Sequence, residues 1–137
     1  MMKLTTESIG YINLFESLTG AKLKDCFFDS DVLVFLVEEG NVKRAIGKDN
    51  SNIKKISHIL KKRFKILAFS DDVCKFAANL IYPIKADEIS LEDKTLKIRA
   101  GDSFLRGRIL GRNRENLKKI NKIIKNYFDV AAVVVVA

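Results

Sequence analysis

Two short turns, each opened by a glycine, are the places where residue types and spacing indicate chemistry. Gly47 precedes Lys48 in the first turn, and Gly111 precedes Arg112 in the second; each turn is followed by a stretch with the apolar periodicity of a helix. The free backbone N–H groups at the start of a helix, together with the helix dipole, attract an anion. A glycine lets a phosphate approach the backbone, and a neighbouring Lys or Arg adds charge and hydrogen bonds. Both turns therefore predict phosphate binding.

The two turns belong to an internal repeat with an offset of 64 residues. Residues 47–56 align with residues 111–120 without a gap, and a match of this length is unlikely to arise by chance. The repeat predicts two units, each small enough to depend on the other for stability. We place an N-terminal domain with a leading helix at residues 1–82 and a C-terminal domain at residues 83–137.

Positive charge is concentrated in the repeated segments. The chain of 137 residues has 25 Lys and Arg against 17 Asp and Glu, a net charge of +8. Residues 43–65 have a balance of +8, residues 104–125 have +7, and the remainder of the chain has −7. A solvated helix face explains a modest excess of Lys, but it does not explain bases gathered twice at the same turn. The charge therefore predicts a nucleic-acid-binding face.

Each unit has the same predicted elements around its turn. β-branched and aromatic segments predict two strands before the glycine, and apolar periodicity predicts a helix after it, followed by a third strand. The predicted strands cover residues 22–28, 32–37, 65–69, 84–90, 95–100 and 130–136. The last strand is entirely apolar, which predicts burial on both faces and an interior position in its sheet.

Two further helices and a core complete the α+β architecture, with helices on one face of each sheet. We predict a leading helix over residues 7–18 that stops at Gly20, and a short helix that opens with caps at residues 70–72. Aromatic side chains are expected in the core rather than on a base-stacking surface. These are Phe27, Phe28, Phe35, Phe64 and Phe69.

No catalytic, cofactor or metal site is predicted. Cys26 and Cys74 lie 48 positions apart, and the single histidine, His58, cannot complete a zinc site with them. We expect two reduced thiols and a surface or partly buried histidine. Gly47 and Lys48 lack the flanking residues of a P-loop, and no nucleophile stands with a base. We expect a protein that is not an enzyme.

The expected location is the cytoplasm. No apolar run approaches the roughly 18 residues that a membrane-spanning helix needs. Residues 1–7 lack the apolar centre of a secretory signal. We therefore expect a cytoplasmic monomer without a membrane contact.

The residues of both turns resemble the K homology (KH) domain. Residues 45–53 read AIGKDNSNI and are similar to the IGxxGxNI signature of that domain, and residues 109–117 read ILGRNRENL and are similar to a second copy. In KH domains a GxxG loop between two helices clamps about four nucleotides of the backbone. The tandem copies, the joining residues 76–83 and the opening residues 14–21 resemble the archaeal NusA-like transcription factors.

The resemblance implies two tandem type II KH-like domains, each a three-stranded mixed sheet with helices packed on one face. It also implies single-stranded RNA binding in transcription termination or antitermination, with RNA polymerase or the transcription complex as a further partner. The alternative is a degenerate KH module used for protein docking to RNA polymerase or in ribosome assembly. The residues expected to bind RNA flank or form the turns: Arg44, Ile46, Gly47, Lys48, Asn50, Asn52, Ile53, Lys54, Lys55, Arg108, Leu110, Gly111, Arg112, Asn113, Arg114, Asn116, Lys118 and Lys119.

The second glycine of the GxxG pattern is replaced in both copies, by Asn50 and by Arg114. Asn tolerates a left-handed backbone, so we expect the first turn to keep its shape. Arg tolerates it less well, so we expect the second turn to be reshaped. Asp49 is expected to repel phosphate. We therefore expect two weak sites that bind usefully through effective concentration.

Overall fold

The structure, a computed structural model, describes residues 5–137. Residues 1–4, part of the segment in which we find no secretory signal, lie outside the described residues. The chain divides into two units between Ser70 and Asp71. The sequence analysis places the boundary later, between residues 82 and 83, and the packing of one helix accounts for this difference.

The first unit has the order helix–strand–strand–helix–helix–strand. Its elements are α1 (Thr6–Thr19), β1 (Leu23–Asp29), β2 (Val32–Val37), α2 (Val42–Ile46), α3 (Ser51–Leu60) and β3 (Phe64–Ala68). β2 is the central strand, antiparallel to β1 and parallel to β3. A parallel pair needs a long crossover connection, which here consists of α2, the first turn and α3. The first turn therefore lies at the middle of the crossover.

A buried core holds the crossover helices of the first unit. The rings of Phe15 on α1 and Phe35 on β2 stack with their centroids 4.4 Å apart. Ala45 on α2 and Ile56 on α3 are buried in the same cluster. Full burial of a side chain the size of Phe contributes about 1.5–3 kcal/mol. The cluster fixes both helices that flank the turn.

Local chemistry sets both ends of α1. The Ser8 backbone N–H donates to the Thr5 hydroxyl oxygen, and the Thr5 backbone N–H donates to the Ser8 hydroxyl oxygen, which forms a capping box. Gly20 follows the helix with a φ of 72°, and its N–H donates to the Glu16 carbonyl. The predicted stop at Gly20 is confirmed.

The second unit repeats this order of elements. They are α4 (Val73–Ile81), β4 (Glu88–Glu92), β5 (Thr95–Arg99), α5 (Ser103–Leu110), α6 (Glu115–Tyr127) and β6 (Ala132–Val136). β5 is central, antiparallel to β4 and parallel to β6. β4 begins later than predicted, because Ile84 lies in a turn in which its N–H donates to the Ile81 carbonyl.

The helix α4 explains the position of the boundary. It is the first helix of the second unit, as α1 is the first helix of the first unit, and the aromatic ring of its residue Phe76 is fully buried. That ring lies 6.1 Å from the Tyr127 ring and 5.7 Å from the Phe128 ring, measured between centroids. The sequence analysis assigns a leading helix to the first copy alone, and the structure gives one to each.

β6 is an edge strand of its sheet, so the interior position predicted for it is wrong. Within this strand Val133 is buried, and the other residues are half-buried. Valine is enriched in β-strands in general, so a run of valines does not distinguish an interior strand from an edge strand.

The expected core phenylalanines are largely found inside. Phe27, Phe35 and Phe69 are buried, and Phe64 is half-buried against the core. The prediction for Phe28 is wrong, because this side chain is 45% exposed. The Lys62 Nζ lies 5.8 Å from the centre of the Phe28 ring, so the cation covers part of the exposed aromatic surface.

The side chains considered for other chemistry are inert or separate. Both thiols are free; burial, reinforced by the charge of Asp25, raises the pKa of Cys26 to about 12, and burial also raises the pKa of the partly buried Cys74. A protonated thiol is a poor nucleophile. His58 is exposed on α3. Within residues 5–137, no helix is both long and apolar enough to cross a bilayer, and no three His, Cys, Asp or Glu side chains gather as metal ligands.

Candidate functional site

The first turn has an unusual backbone. Gly47 ends α2 with a φ of 78° and a ψ of 167°, a region that essentially only glycine adopts. Asp49 and Asn50 follow in left-handed conformations with φ values of 55° and 61°. The chain then enters α3 directly. Asn50 therefore takes the left-handed conformation that we expect at this position.

The second turn has the same shape. Gly111 has a φ of 73° and a ψ of 173°, and Asn113 and Arg114 have φ values of 55° and 59°. The expectation that Arg114 reshapes this turn is therefore wrong. A single left-handed residue other than glycine costs roughly 1–2 kcal/mol. A closing hydrogen bond from an asparagine amide occurs in both turns and helps to offset this cost.

A side-chain amide closes each turn. The Asn52 Nδ2 donates to the Arg44 carbonyl at 2.8 Å, and the Asn116 Nδ2 donates to the Ile109 carbonyl at 2.9 Å. Each bond ties the first turn of the second helix to the last turn of the first helix. The sequence analysis assigns both asparagines to RNA binding, but the structure uses one amide donor of each inside the protein.

The two glycines make room for these asparagines. A Cβ on Gly47 would lie 2.9 Å from the Asn52 Cγ and 2.7 Å from the Ser51 Oγ. A Cβ on Gly111 would lie 2.6 Å from the Asn116 Cβ. Real Cβ atoms do not approach so closely, so glycine is required by the closure of the turn itself. The approach of a phosphate, the reason for glycine that the sequence predicts, stays a prediction.

The helices that leave the turns have uncapped N-termini. Asn50 before α3 and Arg114 before α6 make no side-chain capping hydrogen bond. Thr5, Asp72 and Asp102 cap α1, α4 and α5 with side-chain oxygens, whereas the short helix α2 also lacks a side-chain cap, at Asn41. Uncapped N–H groups and the positive end of the helix dipole favour an anion at this place. Some of these groups are already used, because the N–H groups of Asn50 and Ser51, and of Arg114 and Glu115, donate to carbonyls within their own turns. The backbone donors that each turn offers to an anion are therefore the remaining N–H groups of the turn and of the helix start.

Cationic side chains surround these donors. Lys48, Arg112 and Arg114 are exposed, and none of the ion pairs found between described residues includes them. The Arg44 guanidinium is partly engaged, since it donates to the Gly20 carbonyl at 3.4 Å. Asp49 is exposed in the first turn, and no acid occupies the matching position of the second. The second turn is therefore the more cationic one.

The structure brings each predicted set to its own turn, and no predicted site residue is fully buried. The exposed ones are Arg44, Lys48, Asn50, Lys54, Lys55, Arg108, Arg112, Asn113, Arg114, Lys118 and Lys119. The half-buried ones are Ile46, Gly47, Asn52, Ile53, Leu110, Gly111 and Asn116. One exposed aromatic side chain near the second turn, Phe104, was not among the predicted site residues. It lies on the helix that leads into this turn, on the face opposite the buried Ile109, and helical periodicity could have indicated that exposure.

Known proteins resemble this chain over nearly its whole length. The KH domain family profile matches residues 10–99. The probable transcription termination protein NusA of Methanocaldococcus jannaschii is 30% identical over 139 residues, which cover 98% of this chain and 75% of that protein. The protein of the same name from Methanococcus vannielii is 31% identical over 140 residues, covering 99% of this chain and 80% of the relative. The crystal structure of APE1850 has a TM-score of 0.73 at 28% identity, covering 96% of this chain and 99% of that one.

Replacing either turn glycine by alanine will destabilise its unit. We expect Gly47→Ala and Gly111→Ala each to lower the free energy of unfolding by about 2 kcal/mol or more, because backbone strain adds to a clash with the closing asparagine. Gly40→Ala is the matched control: its φ is 86°, but a Cβ there meets nothing within 4 Å. Urea unfolding measures the difference. Equal losses at all three positions would contradict the role of the close approach.

Replacing the left-handed arginine by glycine will stabilise the second unit. We expect Arg114→Gly to raise the free energy of unfolding by about 0.5–1 kcal/mol, because glycine adopts a φ of 59° without a Cβ penalty. Asn50→Gly is the comparison, and it should gain less because Asn tolerates this conformation. Thermal and urea unfolding check both values. A loss of stability in Arg114→Gly would show that the arginine side chain makes a stabilising contact.

Proposed function

The chain belongs to the KH-domain proteins of the archaeal NusA family, and from that premise we propose that it binds single-stranded RNA through its two turns. In this family fold the turn between two helices clamps the sugar–phosphate backbone of about four nucleotides. We further propose that the protein acts as a cytoplasmic monomer in transcription termination or antitermination. The names of its relatives support the role in transcription.

We assign both units to the type II KH fold. Each unit has the order helix–strand–strand–helix–helix–strand and a mixed sheet in which the second and third strands are parallel. In each unit the turn lies within the crossover between these parallel strands. This arrangement supports one KH domain per unit, with the second domain beginning at Asp71.

The observation that carries the proposal is the repeated turn. In both copies the helix that follows has no side-chain cap, and the turn has exposed Lys or Arg side chains. The N–H groups that no side chain caps in α3 and α6 are suited to phosphate oxygens. Lys48, or Arg112 and Arg114, would add charge-assisted hydrogen bonds. The half-buried Ile46 and Leu110 offer apolar surface to bases beside the clamped phosphates.

The two turns should contribute unequally. The first turn combines Lys48 with Asp49, so its side chains carry no net charge. The second turn carries two arginines around Asn113, and one acid, Glu115, follows it as the first residue of α6, which leaves a net charge of +1. We propose that the second turn binds phosphate more strongly, and that the first adds affinity through its high effective concentration on the same chain.

A protein-docking function is the alternative, with RNA polymerase or a ribosomal component as the partner. Its support in the sequence is the replacement of the second glycine by Asn50 and Arg114. That support is weaker once the backbone is known, because both residues keep the left-handed conformation that glycine would adopt. The alternative predicts a complex that survives nuclease treatment and charge reversal of both turns.

Charge reversal in the second turn will weaken RNA binding and its salt dependence. We expect the double variant Arg112→Asp/Asn113→Asp to bind a short unstructured RNA at least 10-fold more weakly than the wild type. The slope of log affinity against log salt should fall by about 0.7 for each lost phosphate contact. Fluorescence anisotropy at several salt concentrations measures both quantities. Asn113 is left-handed, and Asp is accepted in that conformation, so the turn should keep its shape.

Two comparisons make the result specific. Lys48→Asp should cost less than the double variant, because the first turn already contains an acid. Lys85→Asp is the matched control, since Lys85 is exposed and lies outside both basic segments. A wild-type protein that does not bind at low salt, or a slope that no variant changes, would refute the proposed function.

A further inference from the structure

An exposed aromatic side chain lies on α5, the helix that leads into the second turn. Phe104 is 71% exposed, although a side chain of this size is usually buried. With about 100° of rotation per residue, Phe104 faces roughly 140° away from Ile109, which is fully buried. The phenyl ring therefore points away from the core of its own unit.

The same face of α5 continues to the turn. At about 100° per residue, Arg108 lies within roughly 40° of Phe104 around the helix axis, and Gly111 within roughly 20°. Gly107 is exposed roughly 60° from Phe104, on the side away from Arg108, with nothing within 4 Å of where its Cβ would stand. A glycine inside a helix lowers the stability of that helix relative to alanine. Here no neighbouring atom explains it, and it leaves the backbone open beside the ring.

The start of α5 is held firmly, so the backbone from which the Phe104 side chain projects is fixed. Asp102 caps the helix by accepting hydrogen bonds from the N–H groups of Phe104 at 2.8 Å and Leu105 at 3.2 Å. The Arg106 guanidinium donates to the Ala100 carbonyl at 2.8 Å. The carboxylate of Asp102 is thus directed at backbone donors.

We propose that Phe104, Gly107 and Arg108 form a platform on which an unpaired base of single-stranded RNA stacks, next to the phosphates held at the second turn. The proposal rests on the RNA binding proposed above and adds a contact to the base itself. Every base has an aromatic face, so a phenyl ring recognises single strands with little sequence preference. The exposed Arg108 supplies a cation for the adjoining phosphate, and the +7 balance of residues 104–125 matches a polyanion.

The aromatic ring can be tested separately from the charges. Phe104→Ala should weaken binding of a short unstructured RNA by about 5- to 150-fold, the range that the loss of one stacked base produces. The salt slope should stay unchanged, because no phosphate contact is lost. Phe104→Tyr, which keeps the ring, should restore most of the affinity. Leu91→Ala is the control, an exposed apolar side chain of the same unit outside the basic segment.

The open backbone at Gly107 gives a second test. Gly107→Gln should raise the thermal unfolding midpoint and yet weaken RNA binding, because the new side chain covers the platform. Gly10→Gln is the matched control: Gly10 also lies exposed in a helix with nothing within 4 Å of its Cβ position. It should raise the midpoint and leave RNA binding unchanged.

The outcomes separate the two proposals. If the wild type fails to bind RNA at low salt, the proposed function fails. If the wild type binds and charge reversal at the second turn weakens it, but Phe104→Ala and Gly107→Gln bind equally well, the stacking platform is refuted. A loss in Phe104→Ala that Phe104→Tyr does not recover, or that changes the salt slope, also refutes stacking. An unchanged unfolding midpoint in Phe104→Ala shows that its loss of affinity is not due to unfolding.

Discussion

The hydrogen bond between an asparagine amide and the last turn of the preceding helix is the contact on which the site depends. Asn52 and Asn116 make this bond in the two units, at 2.8 and 2.9 Å. The bond draws the second helix so close to the first that only glycine fits between them, at residues 47 and 111. With the backbone held in this way, the chain passes through two left-handed residues, and the next helix begins without a side-chain cap. The lack of a side-chain cap at the start of α3 and α6, on which the proposed anion binding rests, is therefore a consequence of the closure.

The shape of the turn and its charge are set by different residues. Asn50 and Arg114 differ in size and charge, yet their φ values are 61° and 59°. The closing contacts thus determine the backbone, and the exposed positions are free to vary the electrostatics. In the first turn Asp49 offsets the charge of Lys48, whereas the two arginines of the second turn are followed by a single acid, Glu115, at the start of α6. One backbone geometry thus carries two different charge patterns, and the proposed difference in phosphate binding rests on them.

Much of this organisation is predictable from the sequence, because it depends on local patterns. The 64-residue offset predicts two turns in equivalent places. Turn-forming residues on both sides of residues 32–37 predict a strand there, and β2 has the same bounds. The errors concern interactions that are distant in the chain. The edge position of β6 depends on which strand pairs with β5, and α4 is assigned to the second unit by the contacts of Phe76. The left-handed conformation of Arg114 depends on a closure that propensity alone does not reveal.

The most direct measurement is the change in backbone amide NMR shifts during titration with a short single-stranded RNA. If the two helix N-termini hold the phosphates, the largest changes will fall on the amides of residues 48–53 and 112–117, with the second group saturating first. These changes should diminish as salt is raised, because phosphate contacts release counterions. Shifts confined to other surfaces, with both groups of amides unchanged while RNA is bound, would contradict the central role of the turns.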